Sequence, residues 1–169
     1  TLAALLLGRR MGAPLESLMK TLAKFKGVEH RIEYVGETKD GVRYYNDSKA
    51  TNIDSLEKAL LSFDKPVVLV AGGRHRSAAY DRLTSLVRDR VKKLILIGEA
   101  TPLMRKAWGA DVDTVEADGM EQAVKIASES ATQGDVVLLS PACASWDMFK
   151  DYEDRGCAFK RSVRAILEA

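Results

Sequence analysis

The chain has 169 residues, a length typical of one globular domain with room for an additional element. Its hydrophobic content of 46%, charged content of 30% and net charge of +2 are those of an ordinary globular protein and argue against a nucleic-acid or membrane partner. The two cysteines have no metal-ligand spacing to either histidine, so neither a disulfide scaffold nor a metal ligand is predicted. We expect a reducing, cytoplasmic location.

Residues 1 to about 27 have apolar side chains at helical spacing, and Gly27 is expected to end this segment. Residues 1–7 are apolar but too short to cross a bilayer. A hairpin is predicted next, with strands at 32–37 and 42–45 around the polar turn 38–41. We therefore expect a domain boundary near residue 30. Because the sequence starts without methionine inside a helical pattern, we also expect it to be part of a longer protein.

Beyond the hairpin, short apolar runs alternate with amphipathic helical segments. The predicted strands lie at 67–70, 94–97, 112–115 and 136–139, and a last helix ends near Leu167. This alternation is typical of βαβ crossovers. It predicts an α/β fold with a Rossmann-like, mainly parallel sheet, helices on both faces and an N-terminal hairpin.

Three polar loops follow predicted strands, at residues 46–52, 72–77 and 140–145. The carboxyl ends of parallel strands share one edge of a sheet, so loops that are far apart in sequence can meet there. The loops contain carboxylate, hydroxyl and cationic side chains beside the starts of helices, which can bind anions. The sequence therefore predicts a composite site for a polar, anionic small molecule.

The first loop is open to two interpretations. Asp47 could accept hydrogen bonds from ribose hydroxyls, Lys49 could neutralise a phosphate or carboxylate, and Thr51 could position either group. Alternatively, Thr51 or Asn52 could simply cap the next helix.

The second and third loops are equally open. Gly72 and Gly73 could present Arg74 and Arg76 to a carboxylate, or the segment could be a solvated turn with His75 at the surface. In the third loop, backbone amides of a helix opening at 147–149 could bind a second carboxylate, or the small residues could serve packing alone. No Gly-x-x-x-x-Gly-Lys-Ser/Thr phosphate loop occurs in the chain.

Several strings together resemble the D-glutamate-adding branch of the Mur ligase family. They are His30-Arg31, NDSKATN at 46–52, AGG at 71–73 and LLSPACASWDMFKDYEDRG at 138–156. The resemblance implies a helical end of a central ATPase domain at 1–30 and a carboxy-terminal amino-acid-binding domain at 31–169. It also implies an ATP-dependent ligase that activates UDP-N-acetylmuramoyl-L-alanine as an acyl phosphate for attack by D-glutamate. ATP and Mg²⁺ would be bound mainly by the central domain, outside this chain.

The resemblance also implies roles for individual residues. Arg31 and Asp47 would contact ATP, and Lys49 would lie at the reacting carboxyl group. The residues implied to hold D-glutamate are Thr51, Arg76, Ser145, Trp146 and Tyr152. The chain departs from the family pattern at three of these positions, where lysine, leucine and phenylalanine are usual and this chain has Arg76, Trp146 and Tyr152.

Two alternatives remain at this point. The chain could belong to another ATP-dependent amino-acid ligase of the same fold, or it could be a non-catalytic α/β ligand-binding module. A phosphate loop upstream in the full reading frame would favour a ligase. By itself, the chain is expected to be inactive, because the implied amino-terminal and central domains are missing from it.

Overall fold

The computed structural model describes residues 2–25, 27–75 and 79–168. The strands are β1 (Glu33–Glu37), β2 (Arg43–Asn46), β3 (Val67–Gly72), β4 (Val91–Ile97), β5 (Thr114–Glu116) and β6 (Val136–Leu139). The helices are α1 (Leu2–Arg10), α2 (Leu15–Lys24), α3 (Ile53–Leu60), α4 (Thr84–Arg90), α5 (Thr101–Trp108), α6 (Met120–Ser130) and α7 (Tyr152–Leu167). A short 3₁₀ helix, Tyr80–Leu83, precedes α4.

The strands form one sheet in the order β1-β2-β6-β3-β4-β5. β1 runs antiparallel to β2, and every other neighbouring pair in this sheet is parallel. The predicted hairpin and mainly parallel sheet are thus confirmed. From β2 onward, consecutive strands are joined through helices, as is usual in a parallel sheet.

Helices cover both faces of the sheet, and alternate residues of each central strand point into different cores. In β3, Leu69 packs with α3, α4 and α5, whereas Val68 and Val70 pack with α6 and α7. All six residues of β3 are buried. This two-sided burial explains why the central strands are continuous apolar runs in the sequence.

The amino-terminal segment differs from its prediction. It is two helices, α1 and α2, because Gly12 adopts a φ of +88° and the following Pro14 is the extended N-cap residue of α2. Neither helix contains a buried residue. Among the described residues, no helix has both the length and the apolar character to cross a membrane.

Candidate functional site

The carboxyl ends of β2, β6 and β3 lie side by side, and the segments after them are hydrogen-bonded together. We call these segments loop A (residues 46–52), loop B (72–75) and loop C (140–151). Asp47 N donates to Leu139 O at 2.7 Å, and Gly72 N donates to Pro141 O at 2.9 Å. The predicted convergence of the three loops at one sheet edge is therefore confirmed.

A buried arginine joins loop A to loop C. Arg155 of α7 donates from Nε to Ser48 Oγ at 3.0 Å, from Nη2 to Ser48 O at 2.8 Å and from Nη1 to Ala144 O at 3.2 Å. Its side chain is fully buried, and this burial lowers the pKa of Arg155 to about 10. The guanidinium thus fixes the distance between the two loops.

Arg155 was not among the predicted site residues, although the sequence contains a signal for it. Arg155, Phe159 and Val163 follow one another at four-residue spacing and are all buried on the inner face of α7. A charged residue on the apolar face of a helix needs polar partners, which here are the two loops. The helix itself begins at Tyr152, where the Asp151 side chain accepts a hydrogen bond from Asp154 N at 2.8 Å.

The two glycines of loop B allow a close approach of backbones. Gly72 and Gly73 have φ values of +115° and +126°. A Cβ atom at Gly72 would lie 2.0 Å from the carbonyl oxygen of Ile97, and one at Gly73 would lie 2.4 Å from that of Ala144. Only glycine fits both the space and the backbone conformation.

After these glycines, Arg74 N donates to Ala144 O at 2.8 Å, and the Arg74 side chain is exposed. Loop B is therefore held against loop C by its backbone and presents a cation outward. Arg76 lies outside the described residues, so its contact with D-glutamate stays a prediction.

Asp47 lies at the start of loop A and is only 5% exposed. Its Oδ1 accepts a hydrogen bond from Ile32 N at 3.2 Å, and its Oδ2 accepts one from Ser140 Oγ at 3.0 Å. Burial raises its pKa to about 6, and these two hydrogen bonds counteract part of that effect. Asp47 thus ties the segment before β1 to the first residue of loop C.

Two of the predicted site residues meet directly. Lys49 Nζ donates to the Tyr152 hydroxyl at 3.1 Å and lies 4.6 Å from the centroid of its ring. The hydroxyl in turn donates to Glu153 Oε1 at 2.8 Å. The tyrosine at position 152 therefore gives Lys49 a hydrogen-bond partner that a phenylalanine could not provide.

The helix cap after loop A is Asn52. Its side chain accepts a hydrogen bond from Ser55 N at 2.9 Å. Thr51 is half-buried beside it, and its backbone N donates to Lys49 O at 2.9 Å. Of the two residues considered as the cap, the structure selects Asn52, so the cap does not occupy the Thr51 hydroxyl.

Loop C makes a turn where a helix was predicted to open. The Ser145 carbonyl accepts hydrogen bonds from Met148 N at 3.2 Å and Phe149 N at 2.9 Å, and α7 starts only at Tyr152. The predicted helix at 147–149 is thus wrong, because a short turn already satisfies these amides. Ser145 is buried, whereas the Trp146 side chain is 56% exposed.

The segment before β1 is held in an unusual backbone conformation. His30 and Ile32 have φ values of +60° and +46°, which cost about 1 kcal/mol or more for residues other than glycine. His30 N donates to Glu33 Oε2 at 3.0 Å, and the Asn46 side-chain amide lies 2.9 Å from both His30 Nδ1 and Glu33 Oε2. We call residues 30–33 with Asn46 the linker clamp.

The linker clamp leaves the Arg31 side chain exposed at the site edge. Arg31, Asp47 and Lys49 line one groove of about 370 Å³ together with the start of α3. Two other surface grooves, of about 610 and 660 Å³, contain no residue of loops A to C. We assign the site to the groove of about 370 Å³, because the converging polar groups lie there.

The groove brings carboxylate, ammonium and guanidinium groups together. Arg31 and Lys49 are cations suited to phosphate oxygens, and each Asp47 oxygen keeps a further lone pair for a ribose hydroxyl. Within the described ranges, no group of three or more His, Cys, Asp or Glu side chains could hold a metal ion.

The fold and the three loops define a class of protein. The family description "Mur ligase, glutamate ligase domain" matches residues 30–143, and the chain belongs to the Mur ligase family. Among its relatives, the UDP-N-acetylmuramoylalanine–D-glutamate ligase of Pelotomaculum thermopropionicum is 46% identical over 167 residues, which cover 98% of this chain and 36% of that protein. The protein of the same name from Geobacter sp. (strain M21) is 50% identical over 146 residues, 86% of this chain and 32% of that protein. The chain thus spans about a third of the length of these relatives.

Solved structures with similar folds have far lower identity. A pseudomurein peptide ligase type C from Methanothermus fervidus matches with a TM-score of 0.71 at 15% identity, over 98% of this chain and 34% of that one. A Mycobacterium tuberculosis folylpolyglutamate synthase matches with a TM-score of 0.60 at 13% identity, over 96% of this chain and 37% of that one. These matches agree with the predicted α/β fold.

Proposed function

We propose that this chain is the carboxy-terminal part of a longer cytoplasmic ligase, which uses ATP to join D-glutamate to UDP-N-acetylmuramoyl-L-alanine in peptidoglycan synthesis. The observation that carries this proposal is the joining of NDSKATN in loop A to SPACAS in loop C by Arg155. The names of the relatives at 46% and 50% identity support the same choice.

In this reaction, ATP supplies the phosphoryl group that turns the acceptor carboxylate into an acyl phosphate. Arg31 and Asp47 would hold the nucleotide in the groove of loop A, Asp47 through the ribose hydroxyls. The Mg²⁺ ion and the triphosphate would be bound mainly by the preceding domain. The amine nitrogen of D-glutamate then attacks the carbonyl carbon, inorganic phosphate leaves, and the nitrogen loses a proton.

Lys49 would lie at the reacting carboxyl group, where negative charge develops. Its ammonium is held by the hydroxyl and ring of Tyr152, so little reorganisation is needed when the charge appears. The chain's contribution to the rate would then be positioning and charge stabilisation.

Residues of loop A, loop C and the start of α7, together with Arg76 beyond loop B, would hold the two carboxylates of D-glutamate. Thr51 and Arg76 would bind one of them, and Ser145, Trp146 and Tyr152 would surround the other. The Thr51 hydroxyl is left out of the helix cap, and Ser145 lies buried in the turn of loop C. Because the Trp146 side chain points largely to solvent, this residue would act through its backbone.

The amino-terminal helices support the proposed division of the chain. We propose that residues 1–30 end a central ATPase domain and that residues 31–169 form the amino-acid-binding domain. α1 and α2 contain no buried residue, and Leu6, Met19 and the C-cap residue Phe25 are exposed. Exposed apolar side chains on one segment fit a contact surface, here for the rest of the proposed central domain.

The proposal is tested by assaying the full-length ligase for ADP release and product mass with UDP-N-acetylmuramoyl-L-alanine and D-glutamate. Arg76→Ala should raise the KM for D-glutamate by roughly 10- to 100-fold, the effect of losing a charged hydrogen bond, with little change in the KM for ATP. Arg88→Ala, exposed near the opposite edge of the sheet, is the control.

The result that contradicts the proposal is ADP release that requires a different amino acid. That outcome would favour another ligase of this fold. If no amino acid stimulated ADP release, the chain would be a binding module instead. If D-glutamate is the substrate but Arg76→Ala leaves its KM unchanged, another cation such as Arg74 binds the carboxylate.

A further inference from the structure

A buried tyrosine links loop B to loop C through its hydroxyl group. Tyr80 opens the 3₁₀ helix and is only 4% exposed. Its hydroxyl oxygen lies 3.2 Å from His75 Nδ1 in loop B and 3.1 Å from Cys143 Sγ in loop C. Because a phenol can donate one hydrogen bond and accept another, it can serve both partners at once.

The core holds the Tyr80 ring in place. Trp108 of α5 is fully buried, and its Nε1 donates to the Tyr80 carbonyl at 3.0 Å. The two rings meet edge to face with centroids 5.5 Å apart. The hydroxyl is therefore a fixed point of the core, and the two loops are placed against it.

Both hydroxyl and thiol remain protonated at neutral pH. Burial raises the pKa of Tyr80 above its ordinary value and that of Cys143 to about 11. The contact is thus a neutral hydrogen bond, and its strength does not depend on a titration near pH 7. His75, expected at the surface from the sequence, is instead half-buried and bonded to this tyrosine.

We propose that Tyr80 is a positioning residue whose hydroxyl sets the spacing between loop B and loop C. The backbone hydrogen bonds from Gly72 to Pro141 and from Arg74 to Ala144 hold the first part of loop B against loop C. The Tyr80 hydroxyl contacts the next residue of loop B, His75. This inference rests on the proposed function, because Ser145 of loop C and Arg76, which follows loop B, are among the residues that we propose bind D-glutamate. Tyr80 itself is too buried to touch a substrate.

The test is Tyr80→Phe in the full-length ligase. The substitution removes the contacts of the hydroxyl with both His75 and Cys143. The KM for D-glutamate should rise by roughly three- to tenfold, an effect on the scale of one neutral hydrogen bond, while the KM for ATP stays the same. Tyr34→Phe is the matched control, since Tyr34 is exposed on β1 and distant from loops B and C in the sheet order. A purely structural role would lower the melting temperature and the active fraction without a selective change in one KM.

A double-mutant cycle tests whether His75 and Tyr80 act together. His75→Ala should raise the KM for D-glutamate as Tyr80→Phe does, and His75→Asn should restore it, since the asparagine amide can occupy the place of Nδ1. The double variant with His75→Ala and Tyr80→Phe should be no worse than the poorer single variant. His75 is partly exposed, so its variants are expected to fold even if Tyr80→Phe does not.

Two results would overturn the inference. One is an unchanged KM for D-glutamate in both single variants, and the other is strictly additive effects in the cycle. Failure of the proposed function would look different, because the wild-type ligase would then form no product with D-glutamate.

Discussion

Replacing Arg155 by methionine removes the group that joins loops A and C but keeps a helix-compatible side chain. Three hydrogen bonds are lost, two to Ser48 and one to Ala144. Each contributes about 1.5 to 3 kcal/mol when the donor is charged. Burial of the charge, which lowers the pKa of Arg155 from 12.5 to about 10, offsets roughly 3 kcal/mol of this gain. We therefore expect the free energy of unfolding to fall by about 1.5 to 6 kcal/mol, part of which comes from the buried oxygen atoms that lose their partner.

Urea unfolding followed by tryptophan fluorescence measures this change, because Trp108 is buried in the core. Arg161→Met is the matched control, since Arg161 lies on the same helix with an exposed side chain. Its free energy of unfolding should stay within about 0.5 kcal/mol of the wild type. A loss below about 1 kcal/mol for Arg155→Met would refute the reasoning and show that the loops hold each other without the guanidinium.

Burial raises the pKa of Asp47 from 3.8 to about 6, so the wild-type chain should lose about 2 to 3 kcal/mol of stability as the pH rises through that interval. Asp47→Asn should not show this loss. The prediction would be contradicted if the thermal stability of the wild type and of Asp47→Asn changed with pH in the same way. Gly73→Ala should cost more than about 2 kcal/mol, because its Cβ would lie 2.4 Å from a loop C carbonyl oxygen. Gly134→Ala, also at positive φ but in open space, should cost less in the same measurement. The purified 169-residue chain should fold but hydrolyse no ATP. ATP hydrolysis above background would show that this chain itself contains the groups that catalyse it.

The fold could be predicted from the sequence because its strands are buried on both faces. Runs such as 67–70 and 136–139 are apolar at every position, and the helices between them repeat at helical spacing. Polar loops after such strands then have to meet at one edge. The positions of loops A, B and C follow from this rule without any knowledge of side-chain contacts.

The parts that were missed depend on contacts between distant segments. Arg155 bonds to Ser48, which lies 107 positions away along the chain, so no local pattern identifies its partner. The Ser145 turn replaced a predicted helix because its carbonyl accepts two amide hydrogen bonds. His75 was expected at the surface, since nothing in the sequence places the Tyr80 hydroxyl beside it.

The linker clamp attaches the segment before β1 to the sheet and to α7. Glu33 and Asn46 are hydrogen-bonded to His30, and Lys160 of α7 donates hydrogen bonds to both Glu29 and Glu33. The backbone from His30 to Glu33 is therefore held against β2 and α7 by side-chain contacts. The groove lined by Arg31, Asp47 and Lys49 is formed by residues between positions 31 and 59. Its walls therefore come from one short stretch of the chain, which the clamp attaches to the sheet.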